Sequence, residues 1–217
     1  MEDRFVYADN AATTPIDPRV LEKMMPFLTT EYGNASTLYS LGHSSHDAME
    51  EARKEVALLM NADPGEIYFT GCGSESDNMA LRGWMHSKQN KGKKHLITTA
   101  IEHHAILHTA QALEKEGFEV TYLPVDKHGM VELDVLEKAI RPDTAMVSIM
   151  FANNEIGTVN PIAEIGKLCK EKGVIFHTDA VQAYGHVPVD VKAMNIDILS
   201  ISGHKINAPK GVGAIYI

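Results

Sequence analysis

The chain has 217 residues, of which 44% are hydrophobic and 23% are charged, so it can bury a substantial core and is not a disordered chain. Its formal net charge of −9 argues against a nucleic-acid-binding protein, which needs a basic face. No apolar run approaches the roughly 18 residues of a membrane span, Met1–Arg4 lacks the layout of a secretory signal, and the spacing of the cysteines indicates no disulfide framework. We expect a cytoplasmic protein that binds neither nucleic acid nor membranes.

Short apolar runs alternate with amphipathic segments along the chain, which is the pattern of alternating strands and helices. The first half contains, in chain order, a helix over His46–Met60, a strand over Glu66–Thr70, a helix from about Ser74, a strand over Leu96–Thr99 and a helix over Ala105–Glu116. The second half contains a strand over Phe118–Leu123, a helix over Leu133–Ile140, a strand over Ala145–Met150, a helix over Ile162–Lys172, and strands over Val174–Thr178, Asp197–Ser200 and Val212–Ile217.

Strands that alternate with helices form βαβ units, which predicts an α/β fold with three αβα layers and a mostly parallel sheet. Ligands in such sheets bind beyond the carboxyl ends of the strands, so the residues directly after each strand are candidates for a site. The run Val212–Ile217 ends the chain as a strand without a turn or polar tail. We therefore expect the chain to be part of a longer protein.

Gly73 and Ser74 follow the strand Glu66–Thr70 and begin a helix. Glycine lets backbone N–H groups approach a ligand, and a helix N-terminus favours an anion. The pair is therefore a candidate phosphate-binding turn in which Ser74 contributes a hydroxyl. Taken alone, the same residues also fit an ordinary βα turn with Ser74 as the N-cap.

His103 follows the strand Leu96–Thr99, and Asn154 follows the strand Ala145–Met150. A histidine at a strand end can stack on an aromatic cofactor ring or move protons, although such a histidine taken alone is more often a polar helix cap. Asn154 lies in a segment of two amides and a carboxylate that either binds a ligand or forms a self-contained Asx turn.

Asp179 follows the strand Val174–Thr178 and is predicted to be buried, so it needs a cationic or hydrogen-bonded partner such as a pyridinium N–H or a nearby lysine or arginine. Lys205 follows the next strand, directly after His204. In a partly desolvated crevice such a lysine can have a lowered pKa and act as an amine nucleophile. A lone lysine is more often a solvated surface charge.

Together these strand-end residues fit the chemistry of pyridoxal 5′-phosphate (PLP). This cofactor needs an anion cradle, an acid opposite its ring nitrogen and a lysine for the Schiff base. The candidates appear along the chain as a phosphate-type turn, a stacking histidine, an aspartate and a lysine. No spacing among the eleven histidines indicates a metal site, and we expect none.

Seven motifs resemble those of the cysteine desulfurases, in the NifS/IscS branch of the class V aminotransferase-like, fold-type I PLP enzymes. The resemblance runs through the whole chain and identifies the predicted α/β domain as a fold-type I large domain. The motifs are Tyr7–Pro15, Gly33–Ser36, Glu75–Asn78, Glu102–His103, Asn153–Gly157, His177–Gln182 and Ser202–Lys205.

The resemblance implies that Lys205 and His103 are the catalytic residues of this chain. Lys205 would form the Schiff base with PLP, and His103 would stack on the ring and help to move protons. Asp179 would pair with the pyridine nitrogen, and Gln182 would hydrogen-bond the phenolic oxygen of the cofactor.

The resemblance also implies which residues hold the phosphate. Gly73 and Ser74 would bind it together with Ser202 and His204, while Asn154 would contact both cofactor and substrate. Relatives carry Ala-Thr where this chain has Gly73-Ser74. Because the hydroxyl is kept, we expect phosphate binding to be kept as well.

The activity implied is the conversion of L-cysteine to L-alanine, with the sulfur left as an enzyme persulfide. A sulfur acceptor or an iron–sulfur scaffold protein would be the partner, and the full-length protein would be a cytoplasmic homodimer. Two alternatives remain: a related class V lyase or transaminase such as a selenocysteine lyase, and a shortened, non-catalytic PLP-binding or partner-binding module.

The resemblance predicts that residues 16–217 form the PLP-binding large domain and that residues 1–15 join a smaller C-terminal domain. Family members are nearly twice as long, and their catalytic cysteine, their substrate-binding arginine and a hydroxyl residue that reaches the neighbouring subunit's PLP lie beyond residue 217. Cys72 and Cys169 do not match the catalytic position. We expect both to be small buried apolar residues.

Overall fold

A computed structural model describes residues 5–217, in which helices and strands alternate. The first four positions of the predicted segment 1–15 lie outside the described residues. The helices are α1 (Pro18–Thr29), α2 (Ser40–Leu58), α3 (Gly73–Met85), α4 (His104–Lys115), α5 (Leu133–Ala139) and α6 (Ile162–Lys172). The strands are β1 (Ile67–Thr70), β2 (His95–Thr99), β3 (Glu119–Leu123), β4 (Thr144–Ser148), β5 (Ile175–Asp179), β6 (Ile198–Ser202) and β7 (Gly213–Tyr216).

The seven strands form one sheet in the order β1-β7-β6-β5-β4-β2-β3. Strands β2 to β6 are parallel to their neighbours within the run β6-β5-β4-β2-β3, which confirms the predicted mostly parallel sheet. Strand β7 lies between β1 and β6 and is antiparallel to both. Because β7 reverses direction on each side, β1 and β6 run the same way, and their carboxyl ends lie at the same edge of the sheet.

Both faces of the sheet are covered, which confirms the three αβα layers. One core packs α2, α5 and α6 against alternate strand residues such as Ile97, and the other packs α3 and α4 against the intervening residues such as Leu96. Every position of β2, β4 and β6 is buried, as expected for parallel strands with a helix layer on each side.

The N-terminal helices differ from the prediction. Helix α1 was not predicted, since Pro26 interrupts its apolar pattern and proline removes an intrahelical donor. Its start is marked by Asp17, whose side chain accepts a hydrogen bond from the backbone N–H of Arg19. Helix α2 begins at Ser40 instead of His46. None of the helices in the described part of the chain is both long and apolar enough to cross a membrane.

Candidate active site

A cavity of about 480 Å³ opens at the carboxyl edge of the sheet. Residues that follow five strands, β1, β2, β4, β5 and β6, contribute to its wall. All nine candidate site residues line this cavity: Gly73, Ser74, His103, Asn154, Asp179, Gln182, Ser202, His204 and Lys205. Residues from 73 to 205 therefore meet in one place because parallel strands bring their carboxyl ends together.

The turn after β1 places the N-terminus of α3 at the cavity. A Cβ atom at Gly73 would lie 2.8 Å from Cγ2 of Val181 and 3.2 Å from Cβ of Ser202, so a side chain here would require Val181 to shift. Cys72 is the N-cap of the helix and Ser74 lies in its first turn, so the alternative of Ser74 as N-cap is wrong. The first N–H groups of a helix lack intrahelical partners, which suits them to bind an anion.

Lys205 lies in a short 3-10 turn directly after β6. Its Nζ donates to the backbone oxygen of Ala11 and, at 2.9 Å, to that of Ala12. Burial lowers the pKa of Lys205, while the negative charges of Asp179 and Asp9 act in the opposite direction. The half-buried amine is thus held by neutral carbonyl oxygens, which is a suitable environment for a nucleophilic lysine.

Asp179 is the last residue of β5 and is buried, as predicted. Its Oδ1 accepts a hydrogen bond of 2.9 Å from the backbone N–H of Val181. Burial raises the pKa of Asp179, and the Val181 N–H and the positive charge of Lys205 oppose this rise. The surroundings of this carboxyl are therefore compatible with both partners predicted from the sequence, a nearby lysine and the N–H of a bound pyridinium ring.

The segment 9–17 crosses the turn that carries Lys205. Nε2 of Gln182 donates to the Ala11 oxygen at 2.8 Å, and Thr14 donates through both its N–H and its hydroxyl to the His204 oxygen at 2.9 Å. Nδ1 of His204 lies 3.0 Å from Oγ1 of Thr13. The pKa of His204 is lowered by burial and by the charges of the neighbouring lysines. Asp9, Ala11 and Ala12, which were not among the candidate residues, also line the cavity.

His103 and Asn154 also line the cavity. Nδ1 of His103 accepts the Ala105 N–H at 3.1 Å, so this histidine is both the N-cap of α4 and a wall residue. Nδ2 of Asn154 donates to the Glu155 carboxylate at 2.8 Å. The side chain of its neighbour Asn153 accepts hydrogen bonds from two backbone N–H groups and forms an Asx turn, as one of the two alternatives predicted. Asn154 instead faces the cavity.

The two cysteines differ from each other. Cys169 is buried, as predicted, and burial raises its pKa to about 12. Cys72 is exposed and lines the cavity, so the prediction of a buried residue is wrong there. It is exposed because the turn after β1 opens toward the cavity. Within residues 5–217, no group of three or more His, Cys, Asp and Glu side chains is arranged to hold a metal ion.

Two buried carboxyl groups were not identified from the sequence as site residues. Asp77, on α3, lines the cavity and is 1% exposed. Glu102, which precedes His103, is 5% exposed, and burial raises its pKa to about 8. For Asp77, the sequence shows an acidic residue one turn after a helix start that contains glycine. This pattern is equally typical of a solvent-exposed helix face.

The class V aminotransferase family model matches residues 6–217. The chain is 57% identical over 216 residues to the cysteine desulfurase IscS of Methanosarcina thermophila, covering 100% of this chain and 53% of the relative. It is 55% identical over 215 residues to the human cysteine desulfurase, covering 99% of this chain and 47% of the relative. The chain thus spans about half the length of the curated relatives that it matches.

Solved structures of related proteins share the fold. A structure described as SspA in complex with cysteine superposes with a TM-score of 0.95 at 43% identity, covering 98% of this chain and 61% of that chain. A NifS-like protein gives a TM-score of 0.95 at 43% identity, covering 99% of this chain and 59% of that chain. With the family model matched over nearly all of its length, the chain belongs to the class V aminotransferase family.

Proposed function

We propose that this chain is the cofactor-binding part of a PLP-dependent cysteine desulfurase. Class V aminotransferases and the cysteine desulfurases related to this chain are PLP-dependent. The observation that carries the proposal is the convergence of all nine candidate residues on one cavity of about 480 Å³. The desulfurase names of the relatives and the cysteine complex of SspA support L-cysteine as the substrate.

The residues of the cavity fit the cofactor. The close approach of Val181 and Ser202 to Gly73 leaves the helix N-terminus free of side-chain bulk, so its N–H groups can hold a phosphate together with Ser74. Ser202 and His204 lie in the same wall. When bound, PLP supplies an electron-poor ring that takes up negative charge from the α-carbon of an amino acid.

Three side chains of this protein would govern the reactive end of the cofactor. Lys205 would bind its aldehyde carbon, and the lowered pKa of Lys205 increases the fraction of neutral amine. Asp179 would keep a proton on the ring nitrogen through its buried carboxylate. Gln182 would donate to the phenolic oxygen with Nε2, the atom that contacts the Ala11 oxygen in this structure.

His103 and Asn154 would act on the substrate side. Because Nδ1 of His103 accepts the Ala105 N–H, a neutral ring carries its proton on Nε2, which is the nitrogen available for proton transfer. Asn154 would orient cofactor and substrate with its amide. Cys169 is unsuited to accept the sulfur, since its thiol is buried and its pKa is raised to about 12.

The remaining parts of the proposal concern the whole protein. The sulfur acceptor or iron–sulfur scaffold, the homodimer, the cytoplasmic location and the domain division at residue 15 stay predictions from the resemblance. They require the full-length protein, because the chain covers 53% of its IscS relative.

The direct test is to add PLP to the full-length protein, reduce it with borohydride and map the modified peptide. We expect a visible absorption band that borohydride removes, with the pyridoxyl group on Lys205. Alanine and sulfide are measured on a separate, unreduced sample with L-cysteine, with L-selenocysteine as the competing substrate. A label on another lysine would overturn the site, and turnover of selenocysteine alone would favour the lyase.

A further inference from the structure

The sheet face that packs on α3 changes from apolar to polar directly behind the cavity. In β4, β5 and β6 the apolar core on this face includes Met146, Ile175 and Ile198. Two residues further along each strand, on the same face, the fully buried side chains are Ser148, His177 and Ser200. Asp77 lies on the helix α3 that covers this face.

These polar side chains form a continuous series of hydrogen bonds. Nδ1 of His177 lies 2.8 Å from Oγ of Ser148, and its Nε2 lies 3.0 Å from Oγ of Ser200. Burial lowers the pKa of His177 to about 3, so its ring is neutral and has one N–H. One of the two serine hydroxyls therefore accepts the ring N–H, and the other donates to the unprotonated nitrogen. Burial raises the pKa of Asp77, and the opposing effect of Ser200 does not offset it.

The Asp77 carboxyl has no compensating charge in the described chain. Among residues 5–217, the ionisable nitrogen within 4 Å of it is Nε2 of the neutral His177, 3.8 Å from Oδ1, and that oxygen accepts no hydrogen bond. Besides His177, the titratable groups that act on it are Asp179, Glu102 and Cys72. Burial and the charge of Asp179 raise the pKa of Asp77 well above its usual value.

Glu102 is in a similar position, whereas Asp179 is not. Oε1 of Glu102 accepts from the Thr99 hydroxyl at 2.7 Å and from the Met150 N–H at 3.0 Å, while Oε2 has no hydrogen-bond partner in the described chain. Asp179 accepts a backbone N–H and is acted on by the positive charge of Lys205. A buried carboxylate is stable only with such compensation.

We propose that Asp77 and Glu102 are neutral carboxylic acids in the resting protein and that Asp179 is the single carboxylate of the buried wall. In its neutral form Asp77 adds no second negative charge beside Asp179. The protonation states stand on the structure alone. The benefit to a cofactor ring nitrogen rests on the proposed function.

Infrared spectroscopy of the full-length protein without added cofactor, at about pH 6, counts the protonated carboxyl groups. We expect Asp77→Asn and Glu102→Gln each to remove one carbonyl-stretching band of a carboxylic acid. Asp179→Asn removes a carboxylate band instead. Asp134→Asn is the matched control, since this exposed aspartate is ion-paired with Lys138 and contributes no acid band.

The proposal is overturned if Asp77→Asn removes a carboxylate band and leaves the acid bands unchanged. Should that variant fail to fold, Glu102→Gln gives a second reading, because Oε2 of Glu102 also has no hydrogen-bond partner in the described chain. Loss of a carboxylate band in place of an acid band in that variant would also contradict the proposal. None of these outcomes depends on cofactor binding, so failure of the proposed function is recognised separately.

The neutral state of Asp77 has a second readout in the PLP-loaded protein. Asp77→Asn replaces one neutral group by another, so we expect the pH profile of the visible band to stay within a few tenths of a pH unit of the parent profile. An ionised Asp77 would instead shift the profile by about one pH unit or more when its charge is removed. Such a shift would overturn the neutral state of Asp77.

Discussion

The strand ends around the cavity and the helix α1 place their side chains in opposite environments. In β4 and β6 every residue is buried, and Ser148 and Ser200 there hydrogen-bond His177. Of the residues of α1, all within the described chain, none is buried, and Leu28 is 65% exposed. The candidate chemistry therefore lies where the chain is packed most tightly.

The same contrast explains why pKa values shift in different directions. Burial is the largest cause of the lowered pKa of Lys205 and of the raised pKa of Asp179 and Glu102. At the surface, Asp17 and Asp134 have lowered pKa values because Arg19 and Lys138 hydrogen-bond them. Desolvation disfavours the charged forms of the buried groups. At the surface, a hydrogen-bonded partner of opposite charge stabilises the charged form instead.

The largest effect is expected at Lys205. Lys205→Ala removes the amine that binds the cofactor aldehyde, so the visible absorption band and all turnover of the PLP-loaded full-length protein should be lost. Lys210→Ala, at an exposed position five residues further along the chain, is the control and should leave the spectrum unchanged. Retention of the band in the Lys205 variant would show that another lysine holds the cofactor.

A large effect on stability is expected in β6. Leu199 is fully buried, so Leu199→Ala should reduce the free energy of unfolding by about 2 to 5 kcal/mol through lost burial and the cavity left behind. Urea unfolding followed by circular dichroism measures this change. A loss of less than about 1 kcal/mol would mean that the strand layer is less tightly packed than the structure indicates.

Glu102 should make the protein less stable as the pH rises. Its pKa is about 8 in the folded protein against an ordinary value of 4.5, so between these values the folded state holds a proton that the unfolded chain has lost. His177, with a pKa lowered to about 3, affects stability only below its ordinary value of 6.5. At about 1.4 kcal/mol per pH unit, Glu102 should cost about 2 kcal/mol between pH 6.5 and 8.

Urea unfolding at these two pH values checks this prediction, with Glu102→Gln as the variant. The glutamine has no proton to lose, so the variant should lose about 2 kcal/mol less over the interval. Glu22→Gln, at an exposed glutamate on α1, should keep the parent pH dependence. Equal slopes for the parent and Glu102→Gln would show that Glu102 is already ionised in the folded protein.

Much of the buried region could be predicted from the sequence, because its signals are local. Apolar runs marked the strands to within a few residues, and Asp179 and Lys205 followed strand ends, where topology alone gathers ligands. The position of β7 between β1 and β6 was not predictable, since strand order depends on contacts between residues far apart, such as Thr70 with Gly213.

Other features depend on tertiary contacts that no local pattern reveals. Asp77 is buried next to the strand residue His177, which lies far away in the sequence and whose Nε2 is 3.8 Å from Oδ1 of Asp77. The burial of a helix face therefore cannot be deduced from an acidic residue on it. Helix α1 was missed for the opposite reason: Pro26 breaks its pattern, and none of its side chains is buried in this chain.

The smallest effect is expected on α1, where Leu28→Ala repeats the chemistry of Leu199→Ala at an exposed position. Leucine and alanine have similar helix propensities, so the free energy of unfolding of the 217-residue chain should change by no more than about 0.5 kcal/mol. The two variants are measured side by side by urea unfolding. In the full-length protein, a loss for Leu28→Ala as large as that for Leu199→Ala would show that further protein covers this face of α1.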